Sequence, residues 1–228
     1  MGALIAIEGI SGVGKTKHSR LLENWLKKNH VPTLLISEPS ASLFGLTIKK
    51  AIIECNRLYH KTNPKRVAEL EAMLFAADRV YQYYTMTLPA LKNGKVVISD
   101  RSVYSSHVYQ GVRGLNQKTI TTLNKPILER PSLVIILDVD LNLAAKRLES
   151  KRSGFREFDA IFDSGEVLKK ARKNYLALVR KNPAKFKLIR TQKPLWETQK
   201  RIQQLVYSHL KKRGCLRKRR DFNHLLCR

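Results

Sequence analysis

The chain has 228 residues, of which 43% are hydrophobic, and its 44 Lys and Arg against 18 Asp and Glu give a formal net charge of +26. That length suits one α/β domain with a sizeable core, and the lack of any apolar run of about 18 residues argues against a membrane-spanning helix. The three widely spaced cysteines, Cys55, Cys215 and Cys227, predict neither a disulfide framework nor a zinc site, and with no signal-peptide pattern we expect a cytoplasmic protein.

Apolar runs alternate with helical patterns along the chain. The runs predicted to be buried β-strands are Ala3–Glu8, Thr33–Ser37, Val96–Asp100, Leu133–Val139 and Phe186–Arg190. The helical patterns are Lys15–Asn29, Pro64–Leu91, Leu141–Ser150, Glu166–Lys181 and Leu195–Lys212. This alternation predicts an α/β fold, with a five-stranded parallel sheet flanked by helices on both faces. We expect one domain over residues 1–212, a mobile lid at about residues 151–165, and a basic tail over residues 213–228 that is a candidate for disorder.

The first predicted strand is followed by a phosphate-binding motif. Its sequence, GISGVGKT, matches G-x-x-x-x-G-K-[ST] in the required strand–loop–helix context. The glycines let backbone N–H groups approach phosphate oxygens, and the helix N-terminus adds partial positive charge. Lys15 is expected to reach the β- and γ-phosphates, and Thr16 to help hold Mg²⁺. The motif therefore predicts a P-loop kinase fold whose ATP site comprises Gly9, Ile10, Ser11, Gly12, Val13, Gly14, Lys15 and Thr16.

Two further segments carry candidate acceptor-binding side chains. Glu38 follows the second predicted strand, at the edge of an open α/β sheet where ligands bind. Phe75 and Arg79 are four residues apart on one face of a predicted helix, where a ring can stack on a base and a guanidinium can bind its carbonyl edge. In isolation, these residue types are more often a helix-start acid, a core Phe and a solvated Arg. Their interpretation therefore depends on the motifs that follow.

The third predicted strand ends in an acid that is followed by an arginine, Asp100 and Arg101. An acid at the carboxyl end of a central parallel strand lies beside the phosphate loop, where it can hold Mg²⁺ through water. Arg101 would then face the gap in which two phosphates meet. The alternative interpretation is a surface ion pair at the end of a strand.

The end of the chain is strongly basic. Between Lys211 and Arg228, eight basic residues accompany one acid. Such an excess of positive charge suggests a polyanionic ligand, so we expect weak nonspecific contact of the tail with nucleic acid. The alternative is a solvated basic surface that has no partner.

Taken in order, the motifs resemble those of the thymidylate kinase (dTMP kinase) family, within the P-loop nucleoside monophosphate kinases. The similarity extends from Ala3 to about Val179. It rests on the loop IAIEGxxGxGKT, SEP at Ser37–Pro39, FAADR at Phe75–Arg79, DRSVYSSHVYQG at Asp100–Gly111 and LDVDLNLAAKRL at Leu137–Leu148. The resemblance implies an enzyme that uses ATP and Mg²⁺ to phosphorylate dTMP to dTDP, for dTTP synthesis. It also implies a homodimer packed through helices.

The resemblance implies a role for each matching residue. Phe75 would stack on the thymine, and Arg79 would bind an exocyclic oxygen of the base. Arg101 would bridge the dTMP phosphate toward the γ-phosphate, while Asp100 helps to organise Mg²⁺. Tyr109 would lie against the sugar and exclude ribonucleotides. The remaining residues of the implied dTMP site are Glu38, Ser105, Ser106 and Gln110, and Lys49 falls near an arginine of the family.

The same resemblance assigns two catalytic arginines to the lid. The interior of the phosphate loop, Ile10 to Val13, has no arginine, whereas the lid contains Arg152 and Arg156. In the family, a basic residue is placed in one location or the other. Arg152 and Arg156 would therefore close over the transferring phosphoryl group, although two solvated arginines are the alternative.

Two residues depart from the family pattern. Ser11 occupies a position where most family loops carry an acid that contacts the nucleotide sugar or a partner arginine. Ser102 occupies a position where Tyr is more common. Neither departure removes a phosphate-binding group.

Two other functions remain as alternatives. A deoxynucleoside kinase of the thymidine type would share this topology and use Glu38 as a general base on the 5′-hydroxyl. Asp100 in place of Glu, the Phe75–Arg79 pair and the motif that ends at Gly111 count against it. An ATP-dependent nucleic-acid-binding protein is suggested by the charge alone, but the chain has no glutamate placed to activate water for ATP hydrolysis.

Overall fold

The fold is that of a computed structural model, which describes residues 2–127, 131–150 and 156–216. Its strands are β1 (Ala3–Glu8), β2 (Thr33–Ser37), β3 (Val96–Asp100), β4 (Leu133–Asp138) and β5 (Phe186–Arg190). They form one parallel sheet in the order β2-β3-β1-β4-β5. The predicted five-stranded parallel sheet is therefore confirmed, and only β4 is one residue shorter than expected.

The helices that connect and cover the strands have the following bounds: α1 (Lys15–Lys28), α2 (Leu43–Tyr59), α3 (Pro64–Gln82), α4 (Leu88–Lys92), α5 (Val103–Val112), α6 (Gln117–Leu123), α7 (Leu141–Glu149), α8 (Arg156–Phe162), α9 (Gly165–Lys181) and α10 (Leu195–Lys212). Each predicted helix is present. Helices α2, α5, α6 and α8 lie in segments for which the sequence predicted none. Within the described ranges, no helix has the length and apolar character needed to cross a membrane.

The predicted helix Pro64–Leu91 is interrupted rather than continuous. A π-helical turn at Tyr83–Thr87 separates α3 from α4. Pro89, which follows this turn, has no N–H to donate, and its ring would clash with the carbonyl four residues before it in a regular helix. A wider turn at this point accommodates the proline while the chain continues in the same direction.

Helices cover both faces of the sheet. Along β3, Ile98 belongs to the large core cluster that includes Leu22 and Leu26 of α1. The neighbouring Val97 belongs instead to a smaller cluster with Leu91 of α4. Because successive side chains of a strand point to opposite faces, these two packings lie on opposite sides of the sheet.

The carboxyl ends of β1, β2 and β3 meet at one edge of the sheet. Ile7 pairs in register with Asp100, and Asp100 pairs with Ser37. The phosphate loop after β1, Glu38 after β2 and the end of β3 are therefore neighbours. This convergence, at the edge where open α/β sheets bind ligands, positions the candidate site.

Candidate active site

The phosphate loop is held close to the helix that follows β4. Gly9, Gly12 and Gly14 have φ values of 137°, 82° and 92°, in the region that favours glycine. A Cβ at Gly12 would lie 2.6 Å from the carbonyl oxygen of Ala144. Arg147 donates from Nη1 to the Gly12 carbonyl oxygen at 3.3 Å. The loop conformation is therefore fixed by contacts with α7 as well as by its glycines.

We expect Gly12→Ala to unfold more easily than the matched variant Gly94→Ala. Both glycines have positive φ, at 82° and 72°, so both substitutions carry the left-handed cost of about 1–2 kcal/mol. Only at Gly12 would the added Cβ meet backbone atoms, whereas nothing lies within 4 Å at Gly94. Overpacking should add about 1–3 kcal/mol at Gly12. Urea unfolding of the two variants checks this, and equal losses in the free energy of unfolding would contradict the packing argument.

Lys15 is buried at the base of this loop. Its Nζ donates to the carbonyl oxygen of Ile10 at 2.9 Å. Burial, followed by the charge of Arg101, lowers the pKa of Lys15 to about 7. Because the Lys15 ammonium is already desolvated in the folded protein, an anionic ligand stabilises its charged form strongly. Lys15 is therefore suited to bind phosphate.

The end of β3 and the start of α1 bring two oxygen atoms next to each other. The Thr16 hydroxyl donates to Oδ2 of Asp100 at 2.6 Å. A hydroxyl and a carboxylate are hard oxygen donors, and Mg²⁺ is commonly held by one or two protein oxygens together with substrate phosphates and water. The pair therefore fits the Mg²⁺ that the sequence predicted for Thr16 and Asp100.

Arg101 has an unusual backbone that aims its side chain into the site. Its φ is 77°, in the left-handed region that non-glycine residues rarely adopt. Its guanidinium donates to Ser105 and Ser11 hydroxyls at 3.3 Å each and lies 5.5 Å from the centroid of the Tyr109 ring. Strained residues of this kind cluster at functional sites.

A buried carboxylate that the sequence analysis did not identify organises the neighbourhood of Arg101. Glu8, at the end of β1, accepts hydrogen bonds from the hydroxyls of Ser102, Ser105 and Tyr175, each at 2.8 Å. Ser102 also caps α5 by accepting from the N–H of Tyr104. The departure from Tyr at Ser102 thus has a structural reason, because a small hydroxyl both caps the helix and binds Glu8.

The candidate base-binding arginine, Arg79, is fixed by three acceptors. It donates to Glu38 at 2.7 Å, to the Asn124 side chain at 2.6 Å and to the Ser106 hydroxyl at 3.2 Å. Burial raises the pKa of Glu38, and Arg79 opposes that shift. Its neighbour Asp78 accepts from the N–H and hydroxyl of Ser40, each at 2.6 Å, which anchors the loop after β2.

One cavity of about 640 Å³ joins the two halves of the site. On the ATP side, it is lined by Ser11, Gly12, Gly14, Lys15 and Thr16, whereas Ile10 and Val13 are core residues with 1% and 0% exposure. On the acceptor side, it is lined by all the residues that the sequence analysis assigned to dTMP: Glu38, Phe75, Arg79, Arg101, Ser105, Ser106, Tyr109 and Gln110. Lys49 also lines the cavity. The individual roles of these residues stay predictions.

The predicted lid contributes a helix to this cavity. Phe158 and Phe162 of α8 lie 6.3 and 6.0 Å, centroid to centroid, from the ring of Phe75. Asp163, just after α8, lines the same cavity and was not identified from the sequence. Of the two predicted lid arginines, Arg152 lies outside the described residues. Only the backbone of Arg156, the first residue of α8, lies within them.

Comparison with known proteins identifies the family. A sequence model described as thymidylate kinase matches residues 7–202. A probable thymidylate kinase of Thermococcus onnurineus is 41% identical over 179 residues, which cover 78% of this chain and 85% of the relative. A probable thymidylate kinase of Thermococcus gammatolerans is 37% identical over 206 residues, which cover 90% of this chain and 96% of the relative. A thymidylate kinase of Caldanaerobacter subterraneus is 31% identical over 213 residues, which cover 92% of this chain and 97% of the relative. The chain belongs to the thymidylate kinase family.

Proposed function

We propose that this protein transfers the γ-phosphoryl group of ATP to dTMP, yielding dTDP and ADP, as a step toward dTTP. The observation that carries the proposal is the single cavity that joins the phosphate loop to the pocket of Phe75 and Arg79. Arg101 lies between the two, bonded to Ser11 of the loop and to Ser105 of the acceptor side. A donor phosphate and an acceptor phosphate bound at these two ends would meet beside its guanidinium.

The chemistry requires positioning and charge more than proton transfer. The attacking phosphate oxygen of dTMP is already anionic, so no general base is needed. Lys15 and Arg101 would neutralise the charge that develops on the transferring group, and pre-organised donors of this kind are among the largest contributions to catalysis. Thr16 and Asp100 would hold Mg²⁺, which when bound neutralises charge on the donor phosphates. Arg152 and Arg156 are proposed to add charge from the lid, whose closure would exclude water.

A coupled ADP-release assay with dTMP, dUMP, dCMP, UMP and thymidine as acceptors tests the proposal. We expect turnover with dTMP. The deoxynucleoside kinase alternative requires Glu38 to act as a base on thymidine, but its carboxylate is engaged by Arg79 at 2.7 Å. Phosphorylation of thymidine without phosphorylation of dTMP would overturn the proposal in favour of that alternative.

We expect Arg79→Ala to impair acceptor recognition specifically. Its guanidinium lines the acceptor side of the cavity and is held rigidly by Glu38, Asn124 and Ser106. Loss of a hydrogen bond from a charged group should lower kcat/KM for dTMP by roughly 10- to 100-fold, with little change in KM for ATP. Arg66→Ala is a matched control, because the side chain of Arg66 is 77% exposed and pairs only with Glu69 among the contacts described. An unchanged preference among dTMP, dUMP and dCMP would remove Arg79 from the base-reading role.

The homodimer is a further proposal about the same enzyme. Large apolar side chains are exposed on α2, α3 and the adjoining π-helical turn: Leu43, Phe44, Leu58, Tyr59, Leu70, Met73, Tyr81, Tyr84 and Met86. Exposed large apolar side chains in such number on neighbouring helices are typical of an interface between copies. Light scattering should give twice the chain mass of 26.2 kDa. A mass of one chain at micromolar concentration would contradict the dimer.

We also propose that residues 1–212 form one domain and that the basic tail, residues 213–228, makes weak nonspecific contact with nucleic acid. Residues 165–216 contain 15 Lys and Arg against two Asp and Glu, so the excess charge is not confined to the tail. Trp196 within this region is 68% exposed and could stack on an unpaired base. Filter binding of DNA across a salt series, for the full chain and for a chain ending at Leu210, measures the tail's share. Equal binding and equal salt slope would exclude the tail from the contact.

A further inference from the structure

A buried carboxylate on α3 lies behind the acceptor side of the cavity. Glu71 has 0% exposure and is not among the described residues that line the cavity. Its Oε2 accepts a hydrogen bond from the side-chain amide Nε2 of Gln110 at 3.4 Å. Gln110 does line the cavity, and it is almost fully buried. Glu71 is therefore placed to act on a bound acceptor through Gln110.

Two links between α3 and α5 place Gln110 beside the candidate base site. On α3, Glu71, Phe75 and Arg79 follow one another at intervals of four residues, so they share one face of the helix. From α5, Gln110 binds Glu71, and Ser106 binds Arg79 at 3.2 Å. Phe75 is thus one helical turn from each link. A base stacked on Phe75 would have Arg79 at one end of its polar edge and Gln110 at the other.

The second oxygen of Glu71 is fixed by two donors. Its Oε1 accepts from Nη1 of Arg113 and, at 2.7 Å, from Nδ2 of Asn56. The orientation of the Asn56 amide is fixed as well, because its Oδ1 accepts from Nη2 of Arg113 at 3.2 Å and its Nδ2 also donates to the Ile52 carbonyl oxygen at 2.9 Å. A carboxylate that is paired with an arginine accepts hydrogen bonds and donates none.

These contacts determine which end of the Gln110 amide is left for a ligand. A side-chain amide has one donor end and one acceptor end, and Glu71 can bind only the donor end. The carbonyl oxygen of Gln110 is therefore turned away from Glu71. Thymine carries an N–H at ring position 3 beside an exocyclic carbonyl, whereas cytosine carries a bare ring nitrogen beside an amino group. The Gln110 carbonyl and the Arg79 guanidinium complement thymine, and they oppose cytosine with groups of the same kind.

We propose that Glu71 is a positioning residue for base selection, which orients the Gln110 amide so that the acceptor site favours a base with an N–H at ring position 3. The inference rests on the proposed function and adds to it a residue outside the cavity that sets the base preference. Uracil carries the same N–H as thymine. Glu71 should therefore separate dTMP and dUMP from dCMP, but not dTMP from dUMP.

The variant Glu71→Gln should turn the Gln110 amide around. Arg113 and Asn56 are donors, so they should hold the new amide oxygen at the place of Oε1, and the new NH₂ group then takes the place of Oε2. Gln110 can bind that NH₂ group only with its carbonyl oxygen, so it would present its own NH₂ group to the base. Calorimetry without ATP measures the affinities for dTMP, dUMP and dCMP. The ratio of dTMP to dCMP affinity should fall by roughly 10- to 100-fold, the effect of leaving a buried polar group without its partner.

Two further variants separate positioning from structural support. Glu69→Gln changes an acid on the same helix that pairs with the exposed Arg66 and does not line the cavity, so the affinity ratio should stay unchanged. Gln110→Met removes the amide and keeps the length of the side chain, so the preference for dTMP over dCMP should fall to near unity. If Glu71 acts through Gln110, adding Glu71→Gln to Gln110→Met should not change the ratio any further.

Four outcomes would overturn the inference: an unmodified protein that binds dTMP and dCMP equally, a folded Glu71→Gln variant with the unmodified ratio, an equal loss of affinity for all three nucleotides in that variant, or a further change of the ratio in the double variant. Circular dichroism shows whether each variant is folded. If Glu71→Gln does not fold, Gln110→Met, which keeps the Glu71–Arg113 pair, decides the matter, and a full preference for dTMP in it would overturn the inference. Failure of the proposed function looks different, because dTMP would then not be phosphorylated by ATP, whatever the affinity ratio.

Discussion

Arg101→Ala should lower kcat for dTMP phosphorylation by roughly 10²- to 10³-fold, the loss typical when one pre-organised donor to a developing charge is removed. The guanidinium is held between the two halves of the cavity by Ser11, Ser105 and the Tyr109 ring. Since the role proposed for Arg101 is exerted where the transferring group is most charged, KM for ATP and dTMP should change much less than kcat. Steady-state rates at saturating ATP and dTMP measure the effect.

Arg101→Lys separates charge from geometry in the same position. Lysine keeps the positive charge but loses the planar fork that can bind two phosphates at once. We expect its kcat to fall between those of Arg101→Ala and the unmodified protein. Alanine and lysine share the strained backbone at φ 77°, so strain does not distinguish the two variants. A kcat near that of the unmodified protein in Arg101→Ala would remove the residue from the reaction centre.

The second large effect is expected at Lys15, where ATP binding should take up a proton. Burial lowers the pKa of Lys15 to about 7, so most of this amine is neutral at a pH of about 8.5 when no nucleotide is bound. Bound phosphates favour the ammonium and raise the pKa again. Apparent ATP affinity should therefore fall as the pH rises above about 7. Calorimetry in two buffers of different protonation enthalpy measures the uptake, which should approach one proton per ATP.

Lys15→Met is the control for this proton uptake. It should abolish the proton uptake and lower kcat/KM for ATP by roughly 10³-fold, because the variant lacks the proposed phosphate ligand. The folded pKa lies below the usual value of 10.5, so the folded state binds fewer protons than the unfolded state between about pH 7 and 10.5. Burying Lys15 therefore costs stability below pH 7, and that cost diminishes as the pH rises to 10.5. Nucleotide-free Lys15→Met should accordingly have a higher Tm at neutral pH, and a lower one would contradict the assigned pKa.

The strands and the phosphate loop were predictable because their signals are local. Buried parallel strands read as continuous apolar runs, which is why the predicted bounds of β1, β2, β3 and β5 agree with the structure. The loop is a contiguous motif between a strand and a helix. Three of the four missed helices are short: α5 has 10 residues, and α6 and α8 have 7 each, whereas α2 has 17. Helices α5 and α6 are specified by caps and tertiary packing more than by apolar periodicity.

The acceptor side was only partly predictable. Phe75, Arg79, Arg101 and Tyr109 were found because they belong to motifs that resemble a family, and all four line the cavity. Asn124, which holds Arg79, belongs to no motif that could have revealed it. Asp163 lies in the predicted lid, but no spacing in the sequence places its carboxyl beside Ser11.

The amino-acid sequence alone thus establishes the P-loop, the parallel sheet and the family. The partners of each functional side chain come from the tertiary structure. Glu8 binds Ser102 from 94 positions away and Tyr175 from 167 positions away. Such contacts depend on which strand ends and helices pack together in the fold, so no local sequence pattern predicts them. The phosphate-binding loop is encoded by consecutive residues, whereas the placement of Arg79, Arg101 and Asp163 around one cavity is a property of the folded chain.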